Sequence, residues 1–351
     1  AFGPTPGGVA ASTVGRNLAI TQQVWLYPPQ TAFLFAPFGA LPLEIGIPLL
    51  HLFVLVSALV GIAAMGVLAG LRDTRLAFAL TLAVISQPFV ISVRNGHPVG
   101  LLLIGGGLLL VGVADRRDLP TAIGVALLSI KPQIVLPILL FAPAYALIGR
   151  DPRRVLVMIV AGLAVTLPAW LVTPFPLGAV AASSAERLAV DLSTLSALSR
   201  DLGGGDALTG TLMALTIVAC ALAAVWARVS RRVTVAAGLF LLSLALVPYA
   251  HDYDMLLVLP GAFAALVVAT RRTERATSAL VVFSLVLAPW VLFYWWPIAG
   301  ETARRFQGGP LGAVPLIMAF VLATATFLSG EWHRHDVLPR RTPGPPKREM
   351  A

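Results

Sequence analysis

Three short polar clusters stand inside strongly apolar sequence: Arg94-Asn95-Gly96-His97, Lys131-Pro132-Gln133 and His251-Asp252-Tyr253-Asp254. The last places an imidazole and two carboxylates close together, a set suited to acid–base work or to holding a polar acceptor. Carboxylates at the start of a helix are also ordinary caps. If Asp254 begins the next span it is the cap, and Asp252 is the better site residue. Lys131 is a cation in the middle of an apolar stretch. A charge at the bilayer centre costs about 2.5–3.5 kcal/mol on insertion scales, so its position points to a site. The plain alternative is a lysine that snorkels or caps its own half-helix. Gln133 suits either ligand binding or the satisfaction of backbone groups freed at Pro132. Arg94 stands where an interfacial anchor would, and Asn95-Gly96 is also a common turn pair. Whether these residues form one site depends on whether the chain brings them to the same side of a membrane.

The 351-residue chain is 58% hydrophobic and only 12% charged, against about 25% charged in ordinary soluble domains. Its mean hydropathy is +0.88, and apolar runs of about 20 residues recur along it. This is the composition of an all-α, polytopic helical transmembrane bundle. The net charge of +9 reads as a positive-inside signal rather than a nucleic-acid footprint. A single cysteine, Cys220, excludes an intramolecular disulfide. No Cys/His spacing of a metal site occurs and no cofactor is expected, with a divalent metal left open.

In chain order, residues 1–30 read as an outer loop, 31–329 as the transmembrane domain, and 330–351 as a basic, Pro-rich, disordered cytoplasmic tail. Residues 1–30 have no signal-peptide pattern. They are expected to be the remnant of a first extracytoplasmic loop whose preceding helix lies upstream of Ala1. Residues 31–43 are apolar but too short to span, about 20 Å as a helix. About nine or ten membrane helices are expected, with spans over 48–70, 76–93 and 98–114 among them. The positive-inside rule assigns Arg72, Arg75, Arg116, Arg117, Arg150, Arg153 and Arg154 to the cytoplasm. Arg228, Arg231, Arg232, Arg271, Arg272, Arg275 and the tail join them.

That assignment closes only if residues 119–148 enter and leave from the same side. They then form a re-entrant hairpin of two short helices with its apex at Lys131-Pro132-Gln133. Such backbone is tolerated at membrane depth only where it is buried in protein or lines a wet cavity. The three polar clusters would share one face, under the long loop 173–206. Asp191, Asp201 and Asp206 in that loop read as a solvated segment, and Tyr294, Trp295 and Trp296 as interfacial anchors. No internal repeat and no inverted pair of broken helices is found, against the common secondary-transporter plans.

The run Asn95-Gly96-His97, an apolar span, and a half-helix ending in Lys131-Pro132-Gln133 together resemble glycosyltransferase family 87. That family is polyprenol-phosphate-mannose-dependent mannosyltransferase-like, with a GT-C membrane fold. Tyr27-Pro28-Pro29 before 33–42, and Pro248-Tyr249 through Tyr253-Asp254 before a span, are similar to it too. The resemblance covers roughly residues 25–270. Two departures stand out. The family usually has Gly-Gln at Gly96-His97, and its first outer loop usually carries an acidic residue, whereas residues 1–43 contain no Asp or Glu. The main base is therefore expected upstream of Ala1.

The resemblance implies inverting transfer of a hexose, mannose by analogy, from a polyprenyl-phosphate sugar lipid to a hydroxyl of a glycan or glycolipid acceptor. The setting it implies is the extracytoplasmic side of the plasma (inner) membrane, with the C-terminus in the cytoplasm. Such a site needs a carboxylate to take the acceptor proton, for which Asp252 with His251 are the catalytic candidates. It needs groups that hold the sugar and the leaving phosphate: Lys131, Gln133, Arg94, Asn95, His97 and Asp254. It also needs an apolar groove for the lipid. Two rival readings are a transporter or flippase of a lipid-linked or small polar solute, using Lys131 and Asp252 as intramembrane charges, and a catalytically degenerate membrane relative. Topology reporters fused after Asp118 and after Gly149 should both give a cytoplasmic signal; opposite signals would rule out the re-entrant hairpin.

Overall fold

The computed structural model describes residues 28–172, 193–227, 232–247, 250–269, 286–292 and 312–328. The expectations for 1–27, for Asp191 within 173–192, for Pro248-Tyr249 and for the tail lie outside those residues. So do those for Arg228, Arg231, Arg271, Arg272, Arg275 and the Tyr294-Trp295-Trp296 run. Every regular element among the described residues is helical. In order they are α1 (Pro29–Gly39), α2 (Leu43–Leu68), α3 (Asp73–Val84), α4 (Gln87–Arg94), α5 (Val99–Ala114), α6 (Asp118–Leu128), α7 (Pro132–Ile148) and α8 (Pro152–Val172). Then come α9 (Leu195–Asp201), α10 (Asp206–Ala227), α11 (Arg232–Leu246), a 3-10 turn (Asp252–Leu257), α12 (Leu259–Ala269), a short helical segment at 286–292 and α13 (Val314–Leu328).

The helices α2 and α8 are long and apolar enough to cross a bilayer, and α3 with α4 add a third if taken as one bent span. The helices α5, α6, α7 and α11 are apolar but shorter, so several of the nine or ten expected membrane helices are less than a full span. On α8, Leu156, Ile159, Leu163, Leu167 and Leu171 form an exposed stripe. On α2, Ile45, Leu49, Leu52, Val56 and Val60 do the same. In water such stripes are a liability; in hydrocarbon they meet a solvent as apolar as themselves.

The axis of the bundle is α5, which packs on α2, α6, α7, α11 and the 3-10 turn. Glycines let its backbone approach its neighbours. A Cβ on Gly100 would lie 2.3 Å from the Ala58 nitrogen of α2, and one on Gly112 would lie 2.4 Å from the Thr121 hydroxyl of α6. This is the small-residue packing that brings helices together in lipid. Gly61 meets Gly100 and Met65 meets Gly107, so α2 and α5 run in the same direction. Gly124 meets Gly105, and Thr121 meets Gly112, so α6 runs back.

The arms of the hairpin are α6 and α7. At 11 and 17 residues they are about 16 and 25 Å long, each short of a hydrocarbon core about 30 Å thick. Their outer ends meet. Arg116 Nη2 donates to the Gly149 carbonyl at 3.1 Å, and Asp118 accepts from Arg153 and Arg154. The chain thus enters and leaves the hairpin at one end of the bundle, the end rich in arginine.

Residues 76–93 do not form the single span expected. The axes of α3 and α4 meet at 63°. Pro88 has no N–H to offer the Val84 carbonyl and disfavours a helical residue before it. The Ser86 hydroxyl donates to the Ala83 carbonyl at 2.6 Å, and Trp290 Nε1 donates to the Ile85 carbonyl at 2.8 Å. The signal for this break is Ser86-Gln87-Pro88, which the surrounding apolar run masks. Gly100→Val should lower the unfolding temperature of the purified protein in detergent, since overpacking costs about 1–3 kcal/mol. Gly39→Ala, with open space around it, should leave that temperature unchanged.

Candidate functional site

At the end of the bundle opposite the arginines, the hairpin apex meets the 3-10 turn. Lys131 Nζ donates to both carboxylate oxygens of Asp254, at 2.6 and 2.8 Å. Their side chains are 4% and 0% exposed. Asp254 Oδ2 also accepts from the His251 backbone N–H at 3.1 Å, so Asp254 both caps the turn and holds Lys131. The sequence casts Lys131 as a cation for phosphate. In the structure Asp254 takes its charge and buries it, because an unpaired ammonium at this depth would be far costlier than a paired one.

Asp252 has different partners. Its Oδ2 accepts from Gln87 Nε2 and its Oδ1 from the Tyr253 backbone N–H at 2.9 Å. Both of these donors are neutral. Gln87 is fully buried at the start of α4, and its Oε1 has no hydrogen-bond partner. Sequence reading misses Gln87; a glutamine beside Pro88 inside an apolar run is the signal that finds it.

Tyr253 draws two imidazoles together. The His97 ring stacks on it at 3.7 Å and 15°, and the His251 ring at 5.0 Å and 22°. Lys131 Nζ lies 5.0 Å from the Tyr253 ring centre. His97 sits in the turn between α4 and α5, outside the spanning helices. Gly96 makes that turn with φ +70°, and the Gly96 and His97 N–H groups donate to the Val93 and Ser92 carbonyls, a Schellman closure. Burial first, and the Lys131 charge second, push the His97 imidazole down to about 3. It is neutral at physiological pH and offers hydrogen bonds rather than positive charge. Arg94 and Asn95 are exposed at the rim, and Gln133 is half-buried in the first turn of α7.

The backbone at the apex finds its partners in α1. The Ser129 carbonyl accepts from Gln30 Nε2 at 2.8 Å and the Ile130 carbonyl from Thr31 Oγ1 at 2.7 Å. At these two carbonyls, the satisfying role considered for Gln133 belongs to Gln30 and Thr31. The Ser193 N–H donates to the Ala250 carbonyl, which ties the long loop to the turn. Asp201 ends α9, and Asp206 is exposed at the start of α10. Among the described residues no group of three His, Cys, Asp or Glu side chains is set to hold a metal ion.

A helical membrane bundle that gathers carboxylates, imidazoles and a lysine at one end is the frame into which the sequence comparison falls. Residues 25–260 match glycosyltransferase family 87, and the chain belongs to that family. It is a glycosyltransferase rather than the transporter considered as a rival. No curated protein and no solved structure matches the chain. Lys131→Met should destabilise the protein by about 3–5 kcal/mol, because it leaves Asp254 as an uncompensated buried charge. The double variant Lys131→Met, Asp254→Leu should recover much of that loss in thermal unfolding. A double variant no more stable than the single one would remove the pair's structural role.

Proposed function

We propose that the chain moves a hexose, mannose by analogy with its family, from a polyprenyl-phosphate donor to a hydroxyl of a glycan or glycolipid acceptor, inverting the anomeric carbon. The reaction is assigned to the extracytoplasmic face of the plasma (inner) membrane. What supports that side is the gathering of arginines at the opposite end of the bundle; the C-terminus is assigned to the cytoplasm with them.

The observation that carries this reading is the difference in partners between two carboxylates two positions apart. Asp254 is spent on Lys131, whereas Asp252 rests on Gln87 and a backbone N–H. In the transfer, the acceptor oxygen bonds to the anomeric carbon while the polyprenyl phosphate leaves with the electron pair of the broken bond. A base must take the acceptor proton as this happens. In place of the base expected upstream of Ala1, Asp252 takes that proton, with His251, its neighbour in the chain, as proton partner. Gln87 fixes the carboxylate, and the Lys131–Asp254 pair fixes the turn that bears it. Arg94 at the rim grips the phosphate. Asn95, Gln133 and neutral His97 hydrogen-bond the sugar. Asp252 is only 7% exposed, so acceptor binding opens the rim around residues 94–97.

Transfer of labelled sugar from polyprenyl phosphate in membranes tests this. Asp252→Asn should cut the rate by about 10²-fold or more at unchanged protein level, and Lys131→Ala should abolish it. Undiminished transfer by both variants would remove the assignment.

A further inference from the structure

The arginine-rich end of the bundle holds a feature that sugar transfer does not use. An open cavity of about 300 Å³ lies between the last turns of α5 and α7, walled by Val113, Tyr145 and Ile148, with Arg116 and Asp151 at its rim. Across Val113 and Tyr145 lies a narrow cleft between Leu110, Phe141 and Val235, edged by Arg232 at the start of α11. The cavity and the cleft share Val113, Ala114 and Tyr145 in their walls, so an apolar slot lies next to a charged mouth. This crevice sits at the far end of α7 from Lys131, about 25 Å away.

The charges at this mouth do not balance. Asp115 is held by Arg232 at 2.5 Å, and Asp118 by Arg153 and Arg154. Asp151 faces Arg154 at 3.6 Å and accepts the Arg154 backbone N–H. Arg116 instead donates to the neutral Gly149 carbonyl, so its charge is left over. Arg150, exposed beside Gly149, has no carboxylate against it among the described residues. The mouth therefore offers the Arg116 guanidinium to an anion, beside an apolar wall of Val113, Tyr145 and Ile148.

We propose that this crevice binds one anionic phospholipid, with its phosphodiester at Arg116 and the first part of one acyl chain in the 300 Å³ cavity against Val113, Tyr145 and Ile148. An anion joined to a hydrocarbon chain is the chemistry that satisfies both parts. Basic pockets between membrane helices hold anionic head groups in this way, and guanidinium forks match phosphate oxygens. A free phosphate would fill only the mouth. A zwitterionic lipid would bring a cation to a mouth that already has an excess of them.

The full chain in detergent should be titrated with short-chain phosphatidylglycerol, phosphatidylcholine and inorganic phosphate, read by native mass spectrometry and by thermal unfolding. Phosphatidylglycerol should bind one to one and raise the unfolding temperature, and the other two should not. Arg116→Gln should weaken that binding about fivefold. Ala114→Phe, which fills the crevice from an exposed position, should abolish it. Arg72→Gln, away from the crevice, should leave it unchanged. Equal binding of phosphatidylcholine would overturn the proposal, as would phosphatidylglycerol binding undiminished in both crevice variants. An equal shift from inorganic phosphate would reduce the site to a free-anion site and overturn the lipid assignment. Sugar transfer, read at the other end of the bundle, should survive in both crevice variants, so failure of this proposal is distinct from failure of the Asp252 assignment.

Discussion

A lysine and an aspartate without access to water hold the two halves of the site together. Each ion alone would cost several kcal/mol to bury, and their attraction repays this only when geometry is good and the remaining lone pairs are used. Both conditions are met: two contacts from Nζ and a third bond to Asp254 from the His251 N–H. The pair joins residues 123 positions apart, so the depth of the hairpin apex and the register of the 3-10 turn are settled by one interaction. Asp252 and Tyr253 are carried on that turn and inherit its position. Their own contacts, to Gln87 and to the two imidazoles, can form only once the turn is in place.

Between this pair and the arginine-rich end stands α5, with almost no side chain separating it from α2 and α6 where they cross. Backbone-to-backbone contact at Gly100 and Gly112 leaves little room for the helices to slide. A site that must present donors and a base in fixed positions benefits from such a frame, because no reorganisation is then needed as charge develops. The two ends nevertheless differ in character. One buries its Lys131–Asp254 ion pair; the other spreads ion pairs that are mostly exposed and retains an excess of positive charge.

Much of this was legible in the residues, and the illegible part has physical reasons. Lys131 stands out because charge is costly in an apolar run. The hairpin follows from requiring Arg116, Arg117, Arg150, Arg153 and Arg154 to lie on one side. The family is carried by the order of Asn95-Gly96-His97 and Lys131-Pro132-Gln133. The choice between Asp252 and Asp254 as partner of Lys131 was not legible, since it depends on how a six-residue 3-10 turn rotates its side chains. The bend at Ser86 escaped because hydropathy measures side chains, and what fails there is a backbone hydrogen bond. Gln30 and Thr31 escaped for the same reason: their partners are the Ser129 and Ile130 carbonyls, groups every residue has and no sequence pattern marks.

The bond from Trp290 to the Ile85 carbonyl has a consequence in time. Its partners are 205 residues apart, and a ribosome adds about 5–20 residues per second. The carbonyl exposed by the bend therefore waits some 10 to 40 s for its donor to be made. Through that interval the kinked segment must stay straight, borrow water, or shelter in the insertion machinery. The angle between α3 and α4, and with it the final seat of Gln87 against Asp252, is accordingly one of the last features of the site to be fixed as the protein is born.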